Sequence, residues 1–159
     1  ADETYIKIKR QWYYLYRAVD STGATLDFML SSTRDADAAG RFFRQVLQAS
    51  HTLTPRVITV DKNAAYPPAF EALQHDHSLP ETCRLRQGKY LNNMVEQDHR
   101  FMKRRVNPGL GVSAFATAQR TIQGYEAMHM LRKGQIKGIA KGDVLAQNRV
   151  INQLFGLAA

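Results

Sequence analysis

The chain has 159 residues, 44% of them hydrophobic and 23% charged, a composition typical of one globular domain that buries a core of its own. No apolar run approaches the roughly 18 residues that a membrane-spanning helix needs, and we find no secretion signal. The single cysteine, Cys83, excludes an internal disulfide and a cysteine-based zinc cluster, so we expect a reducing cytoplasm. Lysine and arginine number 22 against 14 acidic residues, for a net charge of +8. This excess favours a polyanionic partner, although a basic surface that only maintains solubility is the alternative.

The first third of the chain predicts β-structure. Thr4–Lys9 alternates in polarity, Trp12–Val19 is rich in aromatic and β-branched residues, and Leu26–Leu30 follows the turn Ser21–Gly23. Because short connections join the three segments, we expect an antiparallel meander.

The apolar period then changes to that of a helix. Ser32 or Thr33 is expected to cap a helix of about four turns. A buried parallel strand is predicted at Arg56–Val60, a short helix at Pro67–Leu73 and a fifth strand at Cys83–Arg86.

Three helices complete the pattern. The first runs from Asn92 or Asn93 to about Val106, the second from a Ser113 cap to Gly134, and the third from an Asp143 cap to Phe155. This order predicts an α/β fold of the ribonuclease-H-like type, in which a mixed sheet of three antiparallel and two parallel strands is flanked by helices. The last helix is either a dimerisation stripe or a cover for the core.

Three carboxylates stand where a metal-dependent site would need them. Asp2 is at the head of the first strand, Asp61 directly follows the predicted parallel strand, and Glu96 lies early in a helix. Two Mg²⁺ ions about 3.5–4 Å apart can stabilise the oxygens that enter and leave a phosphodiester, provided that carboxylates hold them. Taken singly, however, an aspartate at a strand end is more often a solvated turn residue.

The helix that carries Glu96 has a polar arc opposite its apolar stripe. Glu96, Arg100 and Lys103 fall within this arc, and His99 borders it. The arc is typical of a metal-binding carboxylate beside a DNA backbone. A solvated face with a Glu–Arg pair one turn apart explains the spacing equally well.

Seven segments carry a recognisable pattern: Asp2–Lys7, Val60–Asn63, Ala65–Ala69, Tyr90–Arg100, Lys103–Val106, Pro108–Gly111 and Arg120–Met130. They closely resemble the bacterial DDE insertion-sequence transposases that move through cointegrates. Thirty-four residues lie between Asp61 and Glu96, as expected of that group, and Lys103 follows Glu96 by seven positions, as in its basic extension. The resemblance covers roughly residues 2–135, so we expect a catalytic core over 1–134 and a C-terminal helical extension over 135–159.

The resemblance implies a ribonuclease-H-like integrase core. In it, Asp2, Asp61 and Glu96 are the catalytic residues and hold two Mg²⁺ ions, for which Mn²⁺ can substitute. The implied reaction is hydrolysis at the transposon ends followed by attack of the freed 3′-hydroxyl on target DNA, without a covalent protein–DNA intermediate. The implied partners are transposon-end and target DNA and a second copy of the chain, in a bacterial cytoplasm near the nucleoid.

A DNA-facing surface is expected from basic residues around this triad: Arg86, Lys89, Arg100, Lys103 and Arg104. Lys103 and Arg100 would hold phosphates near the scissile bond. The aromatic residues of the second strand either stack on bases or form strand core and cross-strand pairs; they are Trp12, Tyr13, Tyr14 and Tyr16. Glu126 and His129 are interpreted as packing and pairing residues.

Members of the group carry a DNA-binding region before the first aspartate, whereas only Ala1 precedes Asp2 here. We therefore expect weak sequence-specific end recognition by this chain. One alternative function is a ribonuclease-H-like nuclease that only hydrolyses. The other is a catalytically inactive, transposase-derived nucleic-acid-binding module, which the presence of all three carboxylates disfavours.

Overall fold

The structure is a computed structural model that describes residues 1–88, 93–106 and 114–157, apart from the side chains of residues 93–96, 98 and 106. Its first third is an antiparallel meander of β1 (Asp2–Ile8), β2 (Gln11–Val19) and β3 (Thr25–Ser31), in that order across the sheet. The predicted meander is confirmed. Because β2 lies between its neighbours and is covered on both faces, Leu15 and Tyr16 are 0% exposed.

β1 and β2 are joined by a tight turn at Lys9 and Arg10, whose φ angles are 45° and 67°. Two successive residues with positive φ form the mirror-image hairpin turn, which matches the right-handed twist of the strands it joins. The turn fixes the register, so that Tyr5 lies opposite Tyr14.

Helix α1 (Ala36–Gln48) follows the meander, and Asp35 caps it by accepting a hydrogen bond from Ala38 N at 2.7 Å. The expectation that Ser32 or Thr33 would cap this helix is wrong. The third strand runs on further than expected, and the helix begins only where the Asp35 carboxylate reaches a free first-turn amide.

Two further strands, β4 (Val57–Val60) and β5 (Arg84–Gln87), are parallel and are connected through α2 (Tyr66–His75). The amino group of Ala1 donates to Thr59 O at 2.6 Å and so fastens the start of β1 beside β4. Three antiparallel strands and a parallel pair, flanked by helices, confirm the expected mixed α/β architecture.

The helices lie on both faces of the meander. α3 (Asn93–Val106) packs against β1 and β2, and α4 (Phe115–Arg132) packs against α3. The N-cap of α4 is Ala114, and the predicted cap Ser113 lies outside the described residues. One core lies beneath α1 and α2 and includes Tyr16, Phe42, Phe43, Val60, Tyr66 and Leu73. The second lies beneath α3 and α4 and includes Ile6, Ile8, Leu15, Met102 and Ile122.

The last helix, α5 (Val144–Leu154), is capped by Asp143 as predicted, with Asp143 Oδ1 accepting from Ala146 N. The large apolar side chains of this segment are exposed: Val144, Leu145, Leu154 and Phe155. They therefore do not cover either core. Within the described ranges, no helix combines the length and the apolar character that crossing a bilayer requires.

Candidate active site

Two strand ends bring a group of carboxylates together at one edge of the fold. Asp2 is the first residue of β1, and Asp61 directly follows β4, which the Ala1–Thr59 hydrogen bond holds alongside. Asp2, Glu3 and Asp61 each offer a carboxylate oxygen, and these atoms all lie within 4.8 Å of one another. Two of the three predicted metal ligands are thus neighbours, and Glu3 joins them.

The electrostatics of this group show the effect of concentrating negative charge. Burial raises the pKa of Asp2 to about 7, and the charge of Asp61 adds to the shift. The pKa of Asp61 is also raised, mainly by burial and then by Glu3. Burial and like charges both disfavour an ionised carboxylate. A bound cation would reverse this balance, because it stabilises the ionised form of each group.

The Glu3 carboxylate accepts hydrogen bonds from three side chains. The Glu3 side chain is 1% exposed and accepts from Arg34 Nε at 2.8 Å, from Asn63 Nδ2 at 2.6 Å and from the Tyr66 hydroxyl. Asn63 N also donates to Asp61 Oδ1 at 3.1 Å. Glu3 therefore ties β1 to the segment that presents Asp61, and the Arg34 guanidinium balances its charge.

The hydroxyl of Tyr66, which donates to Glu3, is a buried member of this network. Burial and the neighbouring Glu3 carboxylate raise the pKa of Tyr66 far above its ordinary range. Tyr66 therefore stays protonated and acts as a hydrogen-bond donor to Glu3. No role was predicted from the sequence for Glu3, Arg34 or Tyr66. The signal that the sequence offers is that Glu3 adjoins Asp2 and that Asn63 and Tyr66 closely follow Asp61.

Helix α3 borders the carboxylates through His99. This side chain is 8% exposed, and its Nδ1 lies 3.7 Å from Asp2 Oδ2. Glu96 belongs to the first turn of α3, but its side chain is outside the described residues, so its place in the site stays a prediction.

The described cations that were predicted to face DNA lie on β5 and α3. Arg86 is exposed on β5, and Arg100 and Arg104 are exposed on α3. Lys103 is half-buried, and its Nζ lies 5.9 Å from the centroid of the Tyr5 ring on β1. Lys89 lies outside the described residues.

The pattern of the DDE domain family, in its IS240-type transposase branch, matches residues 1–135. Among curated proteins, the transposases of the insertion sequence-like element IS431mec and of IS257 in transposon Tn4003, both from Staphylococcus aureus, are 36% identical over 132 residues. These alignments include 83% of this chain and 56% of each relative, so the chain spans about half the length of the curated relatives it matches.

Two solved structures that are similar to this fold are retroviral integrase catalytic cores. The HTLV-2 core in complex with magnesium superimposes with a TM-score of 0.57 at 16% identity, over 86% of this chain and 83% of that one. The core of BIV integrase gives 0.56 at 13% identity, over 97% and 96%. The fold is therefore ribonuclease-H-like, and with residues 1–135 matching the family pattern, the chain belongs to the DDE domain family of bacterial insertion-sequence transposases.

Proposed function

We propose that this chain is the catalytic core of a DNA transposase, which cuts a DNA strand with the help of divalent metal ions and joins the freed 3′-hydroxyl to target DNA. The observation that carries the proposal is the approach of the Asp2 and Asp61 carboxylates, from two different strands, to within 4.8 Å. The transposase relatives and the magnesium-bound integrase core support it.

Asp2, Asp61 and Glu96 are the proposed ligands of two divalent ions. Their hard carboxylate oxygens suit Mg²⁺ or Mn²⁺. The raised pKa values of Asp2 and Asp61 fit such a site, since a cation relieves the mutual repulsion of these carboxylates. When bound, the ions would supply electrostatic stabilisation to the entering and leaving oxygens of the reaction. His99 follows Glu96 by about one turn of α3 and lies beside Asp2. This contact supports the proposal that the first turn of α3, with Glu96, borders the metal site.

The reaction is a pair of substitutions at phosphorus. In the first, a water oxygen attacks the phosphorus at the transposon end, and the bond to the 3′ oxygen breaks to leave a free 3′-hydroxyl and a 5′-phosphate. In the second, that hydroxyl attacks a phosphodiester of the target, one bond forms and one breaks, and the target strand leaves with its own 3′-hydroxyl. Neither step requires a covalent bond to the protein.

The role of the basic residues in this scheme is to hold the DNA backbone. Lys103 and Arg100 lie one to two helical turns beyond Glu96 and would pair with phosphates near the scissile bond, Lys103 as a point charge and Arg100 as a fork. Two transposon ends must be brought together for transposition, so we propose that the chain acts as a homodimer on DNA. Sedimentation of the chain with an end-bearing oligonucleotide would measure this assembly.

A strand-transfer assay tests the proposed function. The purified chain is mixed with an oligonucleotide that carries a pre-cut transposon end, a supercoiled plasmid and Mn²⁺, and joined products are counted. We expect joining that EDTA and Asp61→Asn abolish. Asp37→Asn, an exposed aspartate on α1, is the matched control and should join like the wild type.

Calorimetric titration with Mn²⁺ separates the failures. If Asp61→Asn binds the ion and joins DNA as the wild type does, the assignment of the metal ligands is wrong. If the wild type binds DNA but neither binds Mn²⁺ nor joins strands, the chain is an inactive nucleic-acid-binding module.

A further inference from the structure

Two large aromatic side chains stand exposed on the sheet next to the candidate site. Tyr5 of β1 is 51% exposed and Trp12 of β2 is 58% exposed. Tyr5 lies opposite Tyr14 and Lys7 lies opposite Trp12, so the three rings share one face of the hairpin. The centroid of the Tyr5 ring is 6.2 Å from that of Trp12 and 6.1 Å from that of Tyr14.

Core packing does not explain this exposure. Further along the same face of β2, Tyr16 is 0% exposed because Phe42 of α1 packs on it, with ring centroids 5.6 Å apart. Helix α1 covers that half of the face and leaves Trp12 and Tyr5 open. Cross-strand pairing stabilises a hairpin, but it does not require two large rings to face solvent.

Cations from three parts of the chain surround these rings. Lys7 Nζ lies 5.4 Å from the centroid of the Trp12 ring. Arg34 Cζ, from the connection before α1, and Lys103 Nζ, from α3, each lie 5.9 Å from the centroid of the Tyr5 ring. Exposed aromatic side chains with cations beside their rings are typical of surfaces that bind single-stranded nucleic acid, because bases stack on the rings while phosphates pair with the cations.

These aromatic and basic side chains lie next to the candidate active site. Arg34 donates to Glu3, which adjoins Asp2, and the same guanidinium lies over Tyr5. Glu3, a member of the carboxylate group, is two residues along β1 from Tyr5 and on the same face of the strand, a distance of about 7 Å at the rise of a β-strand. A DNA strand whose phosphate lies at the carboxylates would therefore reach Tyr5 within a few nucleotides.

We propose that Tyr5 and Trp12, with Lys7, Arg34 and Lys103, form an aromatic surface that binds unpaired nucleotides of the DNA strand beside the scissile phosphate. This role rests on the proposed function, which places DNA at the carboxylates. The interior bases of a duplex stack on each other and present no free faces, whereas the Tyr5 and Trp12 rings, inclined at 75°, can each take a separated base. The surrounding cations favour a nucleic acid over an apolar protein partner.

The fluorescence of Trp12 tests this proposal directly, because Trp12 is the only tryptophan of the sequence. The chain is titrated in EDTA with oligothymidylate and, separately, with a duplex of equal length. We expect strong quenching by the single strand and little by the duplex. Equal quenching by both would overturn the proposal, since only the two terminal base pairs of a duplex have a face that could stack on Trp12.

Substitutions at Tyr5 give the second measurement. Tyr5→Ala should weaken single-strand affinity by about five- to a hundredfold, the range expected for one lost stacking contact, and duplex affinity by less than about twofold. Tyr5→Phe keeps the ring and should bind like the wild type. Phe155→Ala removes an exposed aromatic of the last helix and is the matched control. Thermal unfolding confirms that each variant is folded.

The two proposals fail separately. Asp61→Asn should lose strand transfer and keep the single-strand affinity, because binding in EDTA needs no metal. If a folded Tyr5→Ala binds single strands like the wild type, the aromatic surface has another role even where strand transfer is intact. A change in sedimentation with unchanged DNA affinity in Tyr5→Ala would identify it as a protein contact and would equally overturn the proposal.

Discussion

Arg17 of β2 and Glu126 of α4 form a bidentate ion pair in the interior of the protein. Arg17 Nε lies 2.6 Å from Glu126 Oε1, Nη2 lies 2.9 Å from Oε2, and the two residues are 0% and 1% exposed. Arg17 is directly opposite Asp2 in the register of β1 and β2. The pair therefore links α4 to the strand beside the candidate site. The cation that lies opposite Asp2, the Arg17 guanidinium, is thereby paired with the Glu126 carboxylate.

We expect Glu126→Gln to lower the free energy of unfolding by about 3–5 kcal/mol, because it leaves the buried Arg17 charge without its carboxylate. Urea unfolding followed by far-ultraviolet circular dichroism measures the change. The exposed pair of Arg44 with Asp76, at 2.7 Å, supplies the control, since Arg44→Gln breaks an ion pair in water and should have a far smaller effect. Equal losses of unfolding free energy in the two variants would mean that burial does not determine how much the Arg17–Glu126 pair contributes to stability.

The β1–β2 turn can be improved by one substitution. Arg10 has a φ of 67°, a left-handed conformation that disfavours a side chain with a Cβ and suits glycine. Arg10→Gly should raise the free energy of unfolding by about 1 kcal/mol. Arg10→Ala keeps the Cβ and should leave the stability nearly unchanged, so a gain in the alanine variant would point to lost charge repulsion instead of relieved backbone strain.

The position of Asp61 could be predicted from sequence because a short apolar run flanked by polar residues is a strong signal for a parallel strand. The expectation that this strand would be buried is wrong for most of it: in β4 only Val60 is buried, and Val57 is exposed. The fold class also accounts for the approach of Asp61 to Asp2, because it places the start of β1 beside the end of β4 at one edge of the fold. The role of Glu126 as a pairing residue was also expected and is confirmed by Arg17.

Burial of Glu3 and Arg17 could not be predicted in the same way. The period of β1 places Glu3 on the face of the exposed Tyr5 and Lys7, which predicts a solvated glutamate. It is buried because Arg34 and Asn63 arrive from positions 31 and 60 residues away. A single sequence reveals periodicity and spacing, but it does not reveal which residues far apart in the chain become hydrogen-bond partners.

The pKa of Asp2 makes the metal-free stability depend on pH. Burial, and then Asp61, raise this pKa from 3.8 to about 7, so the folded protein holds the Asp2 proton more tightly than the unfolded chain does. The stability that this proton contributes is complete below the unfolded value and is lost as the pH rises through about 7. In EDTA, the free energy of unfolding of the wild type relative to Asp2→Asn should therefore fall between about pH 4 and about pH 7.

Urea unfolding at several pH values within this window measures the difference between the two proteins. Asp37→Asn should follow the wild type, because Asp37 is exposed in the first turn of α1. A constant difference between wild type and Asp2→Asn would show that Asp2 does not titrate in this range.

Divalent ions should act in the opposite direction. A ligand carboxylate must lose its proton before it binds a cation, so Mn²⁺ should raise the melting temperature more at about pH 7.5 than at about pH 5.5. Asp61→Asn should remove most of this stabilisation and Asp37→Asn should retain it. Differential scanning fluorimetry with and without Mn²⁺ is the measurement, and a shift independent of pH would argue against binding at Asp2.

Arg34 is the residue whose loss should affect the carboxylates most without removing any of them. Its guanidinium contacts the buried Glu3 carboxylate, so Arg34→Met leaves an unbalanced charge beside Asp2 and Asp61. We expect a loss of about 2 kcal/mol in metal-free stability, below the range for fully buried pairs because the Arg34 side chain is 36% exposed. Mn²⁺ should restore part of this loss by supplying positive charge at the same edge. Arg41→Met, an exposed arginine of α1, should be nearly neutral under both conditions. If Mn²⁺ stabilises Arg34→Met no more than Arg41→Met, Glu3 is not electrostatically coupled to the metal-binding carboxylates.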